Sequence, residues 1–314
     1  MSNVTSRSGL RGRWLHWRRV PLALAAIVIA LACGVAAVSG YSAWALSRAK
    51  RFPLVATPAT LGLSYSDVSF PSADDVVPLR GWFIPAEGGK RVVVIVHGKD
   101  GNRAKKPESA ELPVAQALSR RGFSVLMFDL RGHGESGGDR FSLGQYEERD
   151  VRGAIAYARG RGFAAGAIGV LGFSMGGAAT ILAASRAPEV GAVVADSAFA
   201  SARDMVDREF PGESGLPALF IPPTVLAARV LQGVDIDSMS PERAMTEIHA
   251  PVFVIHGQAD DLVPVSHAVR NFAASRNPAS ELWAIPGATH NTSYQTAGDE
   301  YLSRVAAFFE RHLR

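Results

Sequence analysis

The chain has 314 residues, of which 47% are hydrophobic and 20% charged, a composition that excludes disorder of the whole chain. The formal net charge is +4, but eight basic residues flank one apolar run near the amino terminus, and the remainder is slightly acidic. This basic charge therefore indicates a membrane surface and does not indicate a nucleic acid partner. The single cysteine, Cys33, excludes an internal disulfide and a cysteine-built metal site.

The apolar run covers residues 20–46 and contains no charged side chain. About 20 apolar residues suffice to cross a bilayer as a helix, so we expect a transmembrane anchor behind a basic tail, residues 1–19. A cleavable signal peptide is the alternative, although its cleavage site would fit Ala43-Trp44-Ala45 poorly. Five arginines before the run and three basic residues after it favour a cytoplasmic amino terminus and a large domain outside the cytoplasm.

After a linker, residues 47–63, apolar runs alternate with helical patterns through residues 64–314. This order predicts an α/β domain with a mostly parallel eight-stranded sheet and helices on both faces. The predicted strands cover residues 65–70, 79–84, 91–97, 124–129, 167–172, 192–196, 252–256 and 281–285. The predicted helices cover residues 108–121, 145–161, 175–186, 265–276 and 298–313.

One connection, residues 200–249, is too long for an ordinary loop and carries Pro211, Pro217, Pro222 and Pro223 among apolar side chains. We expect it to form a small helical cap over the carboxyl ends of the strands.

Ser174 lies in the sequence Gly-Phe-Ser-Met-Gly-Gly, between a predicted strand and an alanine-rich helix. In this setting the G-x-S-x-G pattern predicts a sharp turn that exposes a nucleophilic serine at a helix amino terminus. The glycines Gly172 and Gly176 permit close backbone packing at that turn. The N–H of Met175 then faces any negative charge that develops on a substrate oxygen.

A serine hydroxyl needs a base, and His290 occupies a loop after the last predicted strand, at the same edge of the sheet. The base needs a carboxylate to orient it, and Asp260 and Asp261 both follow the preceding strand. We assign this role to Asp260 and expect Asp261 to be a solvated or capping residue. The other histidines at strand ends are assigned to turn geometry, namely His97, His133 and His256.

The second oxyanion donor is expected in the loop after residue 97, where Lys99 or Asp100 supplies an N–H and Gly98 permits close approach to the serine. Lys99 is the preferred candidate. Asp129 and Arg131, in a sharp turn after another strand, are expected to form a structural ion pair.

Six motifs in order carry a family resemblance: HGKDGNR at residues 97–103, FDLRGHGESGG at 128–138, GFSMGG at 172–177, DSAF at 196–199, HGQADDLVP at 256–264 and PGATH at 286–290. The chain resembles the α/β-hydrolases, and within them the Bem46-like membrane-associated hydrolases and the serine aminopeptidase S33-like group. The resemblance implies an acyl-transfer hydrolase with Ser174, Asp260 and His290 as its triad. Lys99 and Met175 match its oxyanion positions.

We therefore expect a serine hydrolase that cleaves a small-molecule ester or thioester through an acyl-enzyme on Ser174, without a metal or cofactor. Two alternatives stay open. A peptidase of the aminopeptidase type would use acidic cap residues such as Glu209 and Glu213 to hold a substrate amine. The second alternative is a non-catalytic binding protein with the same fold.

Overall fold

A computed structural model describes residues 10–105 and 109–314, and its eight strands form one sheet in the order β1-β2-β4-β3-β5-β6-β7-β8. Strand β2 is antiparallel to β1 and to β4, whereas the other neighbours are parallel. The strands are β1 Ser66–Pro71, β2 Pro78–Ile84, β3 Val92–Val96, β4 Ser124–Phe128, β5 Ile168–Phe173, β6 Val190–Asp196, β7 Val252–Gly257 and β8 Glu281–Ile285. The predicted mostly parallel sheet is confirmed.

Ten α-helices lie within the described ranges, and the five predicted crossover helices are among them. They are α1 Leu10–Leu46, α2 Glu111–Arg120, α3 Glu147–Gly160, α4 Met175–Ala184, α5 Ala202–Ser214, α6 Ile221–Gln232, α7 Pro241–Met245, α8 Ser266–Ala274, α9 Ser293–Ala297 and α10 Asp299–His312. Residue 108, the predicted start of α2, and residues 1–9 of the predicted tail lie outside the described residues. The short helix α9 was not predicted, because one turn and a half carries too little periodicity to be recognised.

Helices cover both faces of the sheet. This explains why the sequence of strand β3 does not alternate between polar and apolar residues. Val92, Val94 and Val96 face the layer that contains α3 and α4. Val93 and Ile95 face the opposite layer, which contains α2 and α10. All five side chains are buried, and the burial of each stabilises the fold by about 2 kcal/mol.

The connection between β6 and β7 contains three helices, α5, α6 and α7, together with two short 3-10 helices. We call residues 200–249 the cap segment. Helices α5 and α6 lie at the carboxyl ends of the strands, where side chains from both helices line a cavity. Helix α7 packs instead against α4 and α8.

The amino-terminal helix α1 contains a stretch, Val20–Leu46, that is long and apolar enough to cross a membrane, as a span or as a signal sequence. Its last two turns pack against α5 and α6, and Ser39, Ser42 and Ala43 are buried there. The chain that follows is fixed to the domain: Arg51 donates hydrogen bonds to the carbonyls of His133, Gly134 and Gly138. The first residues of the predicted linker therefore contact the domain directly.

Two buried arginines hold the turn after β4, and their partners differ from the predicted pair. Asp129 forms its ion pair with Arg103, and it also accepts a hydrogen bond from the N–H of Glu135 across the turn. Arg131 instead binds the fully buried Asp150 of α3 and the carboxylate of Asp75. The predicted Asp129–Arg131 pair is wrong, because the turn directs the Arg131 side chain towards α3 and away from Asp129.

Replacement of Arg131 by methionine should lower the free energy of unfolding by about 3 kcal/mol, because it leaves Asp150 buried without its charge partner. Urea denaturation of the full chain in detergent measures this loss. Arg140→Met is the matched control, since Arg140 is partly exposed and only 3.9 Å from Asp139, and it should cost less than about 0.5 kcal/mol. Equal losses in the two variants would show that the buried pair adds nothing to stability.

Candidate active site

Ser174 occupies the turn between β5 and α4 with a backbone conformation that few residues other than glycine adopt, φ 52° and ψ −121°. The turn is held because the Ser174 N–H donates to the Asp196 carbonyl at 2.8 Å. It is also crowded: a Cβ added at Gly176 would overlap the carbonyl oxygen of His97, and one at Gly172 would overlap that of Gly176. Packing against neighbouring backbone thus requires glycine at both positions.

The structure brings together Ser174, His290 and Asp260, which follow strands β5, β8 and β7. The Oγ of Ser174 lies 2.8 Å from Nε2 of His290, and Nδ1 of His290 lies 2.8 Å from Oδ2 of Asp260. Because carboxyl ends of parallel strands meet at one edge of a sheet, side chains far apart in sequence converge there. The geometry suits proton transfer from the serine hydroxyl to the imidazole.

Asp260 is buried and firmly held, whereas Asp261 beside it is exposed. Oδ1 of Asp260 accepts the N–H groups of Leu262, at 3.1 Å, and Val263, at 2.8 Å. Oδ2 also lies 3.3 Å from Nε2 of the buried His256. Burial alone would raise the pKa of Asp260, but the hydrogen bonds with His256 and His290 hold it well below its usual range. Asp260 therefore stays ionised and faces His290 as a carboxylate.

The loop after β3 runs directly against the serine, as predicted. A Cβ at Gly98 would lie 3.2 Å from both the Phe173 carbonyl oxygen and the Ser174 Cβ. Of the two candidate donors, the Asp100 N–H is engaged, because it donates to Nε2 of His133 at 3.1 Å. Lys99 lines the cavity beside Ser174 and Met175, and its ammonium lies 3.4 Å from Oε1 of Glu213.

Two buried imidazoles support this loop by accepting backbone N–H groups. Nε2 of His97 accepts from Leu130 at 3.0 Å, while its Nδ1 lies 2.7 Å from the Gly98 carbonyl, to which it donates. His133 uses the same tautomer, with Nδ1 donating to the Arg131 carbonyl at 2.8 Å. Burial lowers the pKa of each to about 4, so both are neutral at pH 7. The sequence-based assignment to turn geometry fits these contacts.

Asp196 is a supporting residue to which sequence reasoning assigned no role. Its fully buried carboxylate accepts hydroxyl hydrogen bonds from Ser197, Ser293 and Tyr301, at 2.8 to 2.9 Å. Its carbonyl holds the Ser174 N–H, and the Ser197 hydroxyl in turn accepts the N–H of Asn291, next to His290, at 3.3 Å. Burial raises the pKa of this carboxyl group. The DSAF motif was the available signal, but a motif at a strand end does not reveal distant hydroxyl partners.

The serine opens into a cavity of about 400 Å³ with mainly apolar walls. The cap segment supplies seven of the apolar lining residues, namely Met205, Val206, Phe210, Val225, Ala228, Val234 and Ile236. Helix α1 and its end contribute Ala43, Leu46 and Ser47, and the acids Glu209 and Glu213 also line the wall. Among the described residues, no group of three or more histidine, cysteine, aspartate or glutamate side chains is placed to hold a metal ion.

The family model that matches this chain is that of the prolyl oligopeptidase family, over residues 111–314. The chain belongs to this family. The match covers strands β4 to β8 together with the loops that carry Ser174, Asp260 and His290. Membership in the prolyl oligopeptidase family agrees with the α/β-hydrolase fold and the hydrolase activity that the motifs predicted. The Bem46-like subgroup is a narrower class, and this match does not distinguish it from other α/β-hydrolases.

Similar proteins extend the comparison beyond the region of the prolyl oligopeptidase match. The uncharacterized protein YfhR of Escherichia coli (strain K12) is 30% identical over 76% of this chain and 78% of its own length. The α/β-hydrolase domain-containing protein WAV2 of Arabidopsis thaliana is 27% identical over 84% of this chain and 83% of its own. The esterase Pf2001 of Pyrococcus furiosus has 29% identity and a TM-score of 0.70, covering 85% of this chain and 100% of its own.

The stability contributed by His97 and His133 should fall between pH 6.5 and about 4, because the unfolded chain protonates both imidazoles from about pH 6.5 while their folded pKa values are about 4. Each depressed pKa contributes stability above pH 6.5, and this contribution is lost as the pH falls to about 4. A His133→Gln variant should lose less stability over this window, by up to about 1.4 kcal/mol per pH unit. Urea midpoints measured at a series of pH values test this, and parallel profiles for the two proteins would contradict it.

Proposed function

We propose that this protein is a serine hydrolase that cleaves an ester or thioester through an acyl-enzyme on Ser174. The observation that carries the proposal is the hydrogen-bonded line from Ser174 through His290 to Asp260. Because Nδ1 of His290 donates to a carboxylate, its Nε2 presents a lone pair to the serine hydroxyl. A binding protein without activity has no need for this alignment, nor for the strained turn that exposes the serine.

In the first half-reaction, Oγ of Ser174 attacks the acyl carbon while its proton passes to Nε2 of His290. The imidazolium forms beside the Asp260 carboxylate, which stabilises its positive charge. His290 then gives the same proton to the departing alkoxide or thiolate. In the second half-reaction, His290 takes a proton from water, the hydroxide attacks the acyl group, and the proton returns to Oγ as the acid leaves.

The N–H groups of Lys99 and Met175 are the proposed oxyanion donors. Both residues line the cavity beside Ser174. Met175 is the first residue of α4, where the N–H groups have no partner within the helix and the helix dipole favours negative charge. For the loop after β3, the engagement of the Asp100 N–H by His133 favours Lys99 as the free donor. Two such donors would stabilise the tetrahedral intermediate through charge-assisted hydrogen bonds.

An apolar acyl group is the proposed specificity element. The cavity volume suits a small molecule, and its apolar wall would favour an acyl chain over a charged group. The similarity to the Pyrococcus furiosus esterase supports ester substrates. The order of the six motifs supports a place among Bem46-like membrane-associated hydrolases within the wider family.

A peptidase is the second candidate, because the matching family is named for an oligopeptidase and two acids line the cavity. Their charges are partly met within the protein: Glu213 lies 3.4 Å from the Lys99 ammonium, and Glu209 lies 3.4 Å from Nε of Arg208. Comparison of aminoacyl amides with acyl esters of equal size separates the two functions. A preference for the amides that is lost in Glu209→Gln or Glu213→Gln would favour the peptidase.

We further propose that α1 is a retained anchor, with the amino terminus cytoplasmic and the hydrolase domain outside. Retention is supported by packing, since Ala43 is buried and lines the cavity. Cleavage after Ala45 would remove this part of the wall. The orientation is supported by the excess of arginine before the span.

Ser174→Ala should lower kcat/KM for a soluble ester by at least about 10⁴-fold, because no other group takes the place of the nucleophile. The same variant should lose labelling by a fluorophosphonate probe. Ser303→Ala, at an exposed position on α10, is the control and should keep both signals. Unchanged activity or labelling in Ser174→Ala would refute the proposal.

Asp260→Asn should lower kcat by about 10³- to 10⁴-fold, because an amide neither fixes the His290 tautomer nor stabilises the imidazolium. The neighbouring Asp261→Asn is a matched control, since it removes the same charge from an exposed side chain one position away. Its kcat should stay close to that of the unmodified protein. Equal losses in the two variants would point to a general charge effect and away from a specific role of Asp260.

A further inference from the structure

We propose that the cap segment is seated in the surface of the bilayer that α1 crosses, and that the cavity takes its acyl substrate from the lipid phase. The second part of this proposal rests on the proposed hydrolase function. The seating itself rests on geometry alone: an exposed helical length, an aromatic pair, an apolar stripe on α6 and a cavity wall shared by α1 and α6.

The exposed part of α1 matches the thickness of a bilayer. Residues 20–38 are all exposed, and at about 1.5 Å per residue they extend for about 28 Å. The hydrocarbon core of a bilayer is about 30 Å thick. The next residues, from Ser39 to Leu46, belong to the same helix but pack against the cap segment. A bilayer that covers the exposed part therefore ends where the cap segment begins.

Aromatic side chains mark this level of the helix. Tyr41 and Trp44 remain exposed although their neighbours Ser42 and Ala43 are buried, and their ring centroids are 5.9 Å apart. Tyrosine and tryptophan concentrate at the boundary between hydrocarbon and headgroups. Arg48 follows one turn later, with its guanidinium 4.9 Å from the centre of the Trp44 ring. The order from apolar to aromatic to basic is that of a helix leaving the membrane.

Helix α6, which packs against the end of α1, carries an exposed apolar stripe. Leu219 in the preceding turn, and Pro222, Leu226 and Val230 in the helix, recur at helical spacing, and all four are exposed. The exposed fractions of Leu219, Leu226 and Val230 are 68%, 59% and 71%. Contiguous apolar side chains of this size on a surface mark a partner.

Continuity with α1 identifies that partner as the bilayer. Helices α1 and α6 pack closely, and a Cβ built at Gly40 would lie 3.5 Å from Leu231 of α6. Small residues at the contact, Ser39, Gly40, Ser42 and Ala43, permit this approach. An apolar stripe that adjoins the point where a span leaves the membrane meets lipid without further movement of the chain.

The two helices also form one wall of the cavity. From α1 come Ala43 and Leu46, and from the inner face of α6 come Thr224, Val225 and Ala228. The outer face of α6 carries the exposed stripe, so the cavity and the proposed lipid surface lie on opposite sides of a single helix. Acyl chains held in the bilayer are thus one helix diameter from the space in front of Ser174. Substrates that partition into the membrane would therefore be more concentrated beside the cavity than substrates that stay in water.

Depth-dependent fluorescence quenching tests the seating without any assay of activity. The full chain carries one cysteine, Cys33, in the exposed part of α1, and a Cys33→Ala background accepts single cysteines elsewhere. An environment-sensitive probe is placed at Val230→Cys, and at the exposed Ser303→Cys of α10 as control. The proteins are reconstituted in vesicles of phosphatidylcholine and phosphatidylglycerol with brominated acyl chains. Native Cys33 with the same probe serves as the positive control.

We expect quenching at Cys33 and at Val230→Cys but not at Ser303→Cys. A probe at position 230 that is no better quenched than the probe at 303 would overturn the seating. Chemical crosslinking between copies through position 230, without quenching, would assign the stripe to self-association and would also overturn it. An unquenched Cys33 would show that α1 does not enter the bilayer and would remove the basis of the proposal.

A second measurement tests loading from lipid. The variant Leu226→Glu with Val230→Glu should lose roughly tenfold in activity on a long-chain ester embedded in vesicles, while a short soluble ester is hydrolysed as before. Equal activity on the embedded ester would overturn loading through this surface, and so would equal loss on both esters. If the unmodified protein cleaves neither ester, the proposed function fails, whereas the quenching result still decides the seating.

Discussion

The structure depends on the close approach of backbone segments around Ser174. The strand that precedes the serine, the helix that follows it and the loop after β3 approach so closely that side chains larger than hydrogen do not fit at Gly172 and Gly176. This crowding fixes the strained conformation of the serine, whose hydroxyl contacts His290. Backbone strain of this kind persists only where the surrounding structure enforces it, and here the packed parallel sheet does so.

A second layer of buried polar groups holds the loops that meet at this point. Asp196 connects the backbone of the serine to the loop of His290 through its own carbonyl and the hydroxyl of Ser197. His97 and His133 perform a similar task for the loop after β3, because neutral imidazoles accept backbone N–H groups that would otherwise be buried without partners. Because of these contacts, the positions of the site residues depend on all the loops that meet at this edge of the sheet.

The sequence was sufficient for the sheet and for the residues that converge on Ser174, because continuous apolar runs reveal buried strands and chain order reveals which loops share an edge. It was not sufficient for pairings that depend on the direction of a side chain. Asp129 and Arg131 are two residues apart and of opposite charge, yet each is paired with a residue from another element. The hydroxyl partners of Asp196 were equally hidden, since Tyr301 is more than 100 residues away.

The last turns of α1 have a consequence for the way this protein is handled. Because Ala43 and Leu46 form part of the cavity wall, a truncated form that begins after α1 would present a wider, more hydrated recess than the intact chain. Any ligand selectivity measured on the truncated form would describe that altered recess. For this molecule, the helix that is long enough to cross a membrane also shapes the cavity, so a change in one alters the other.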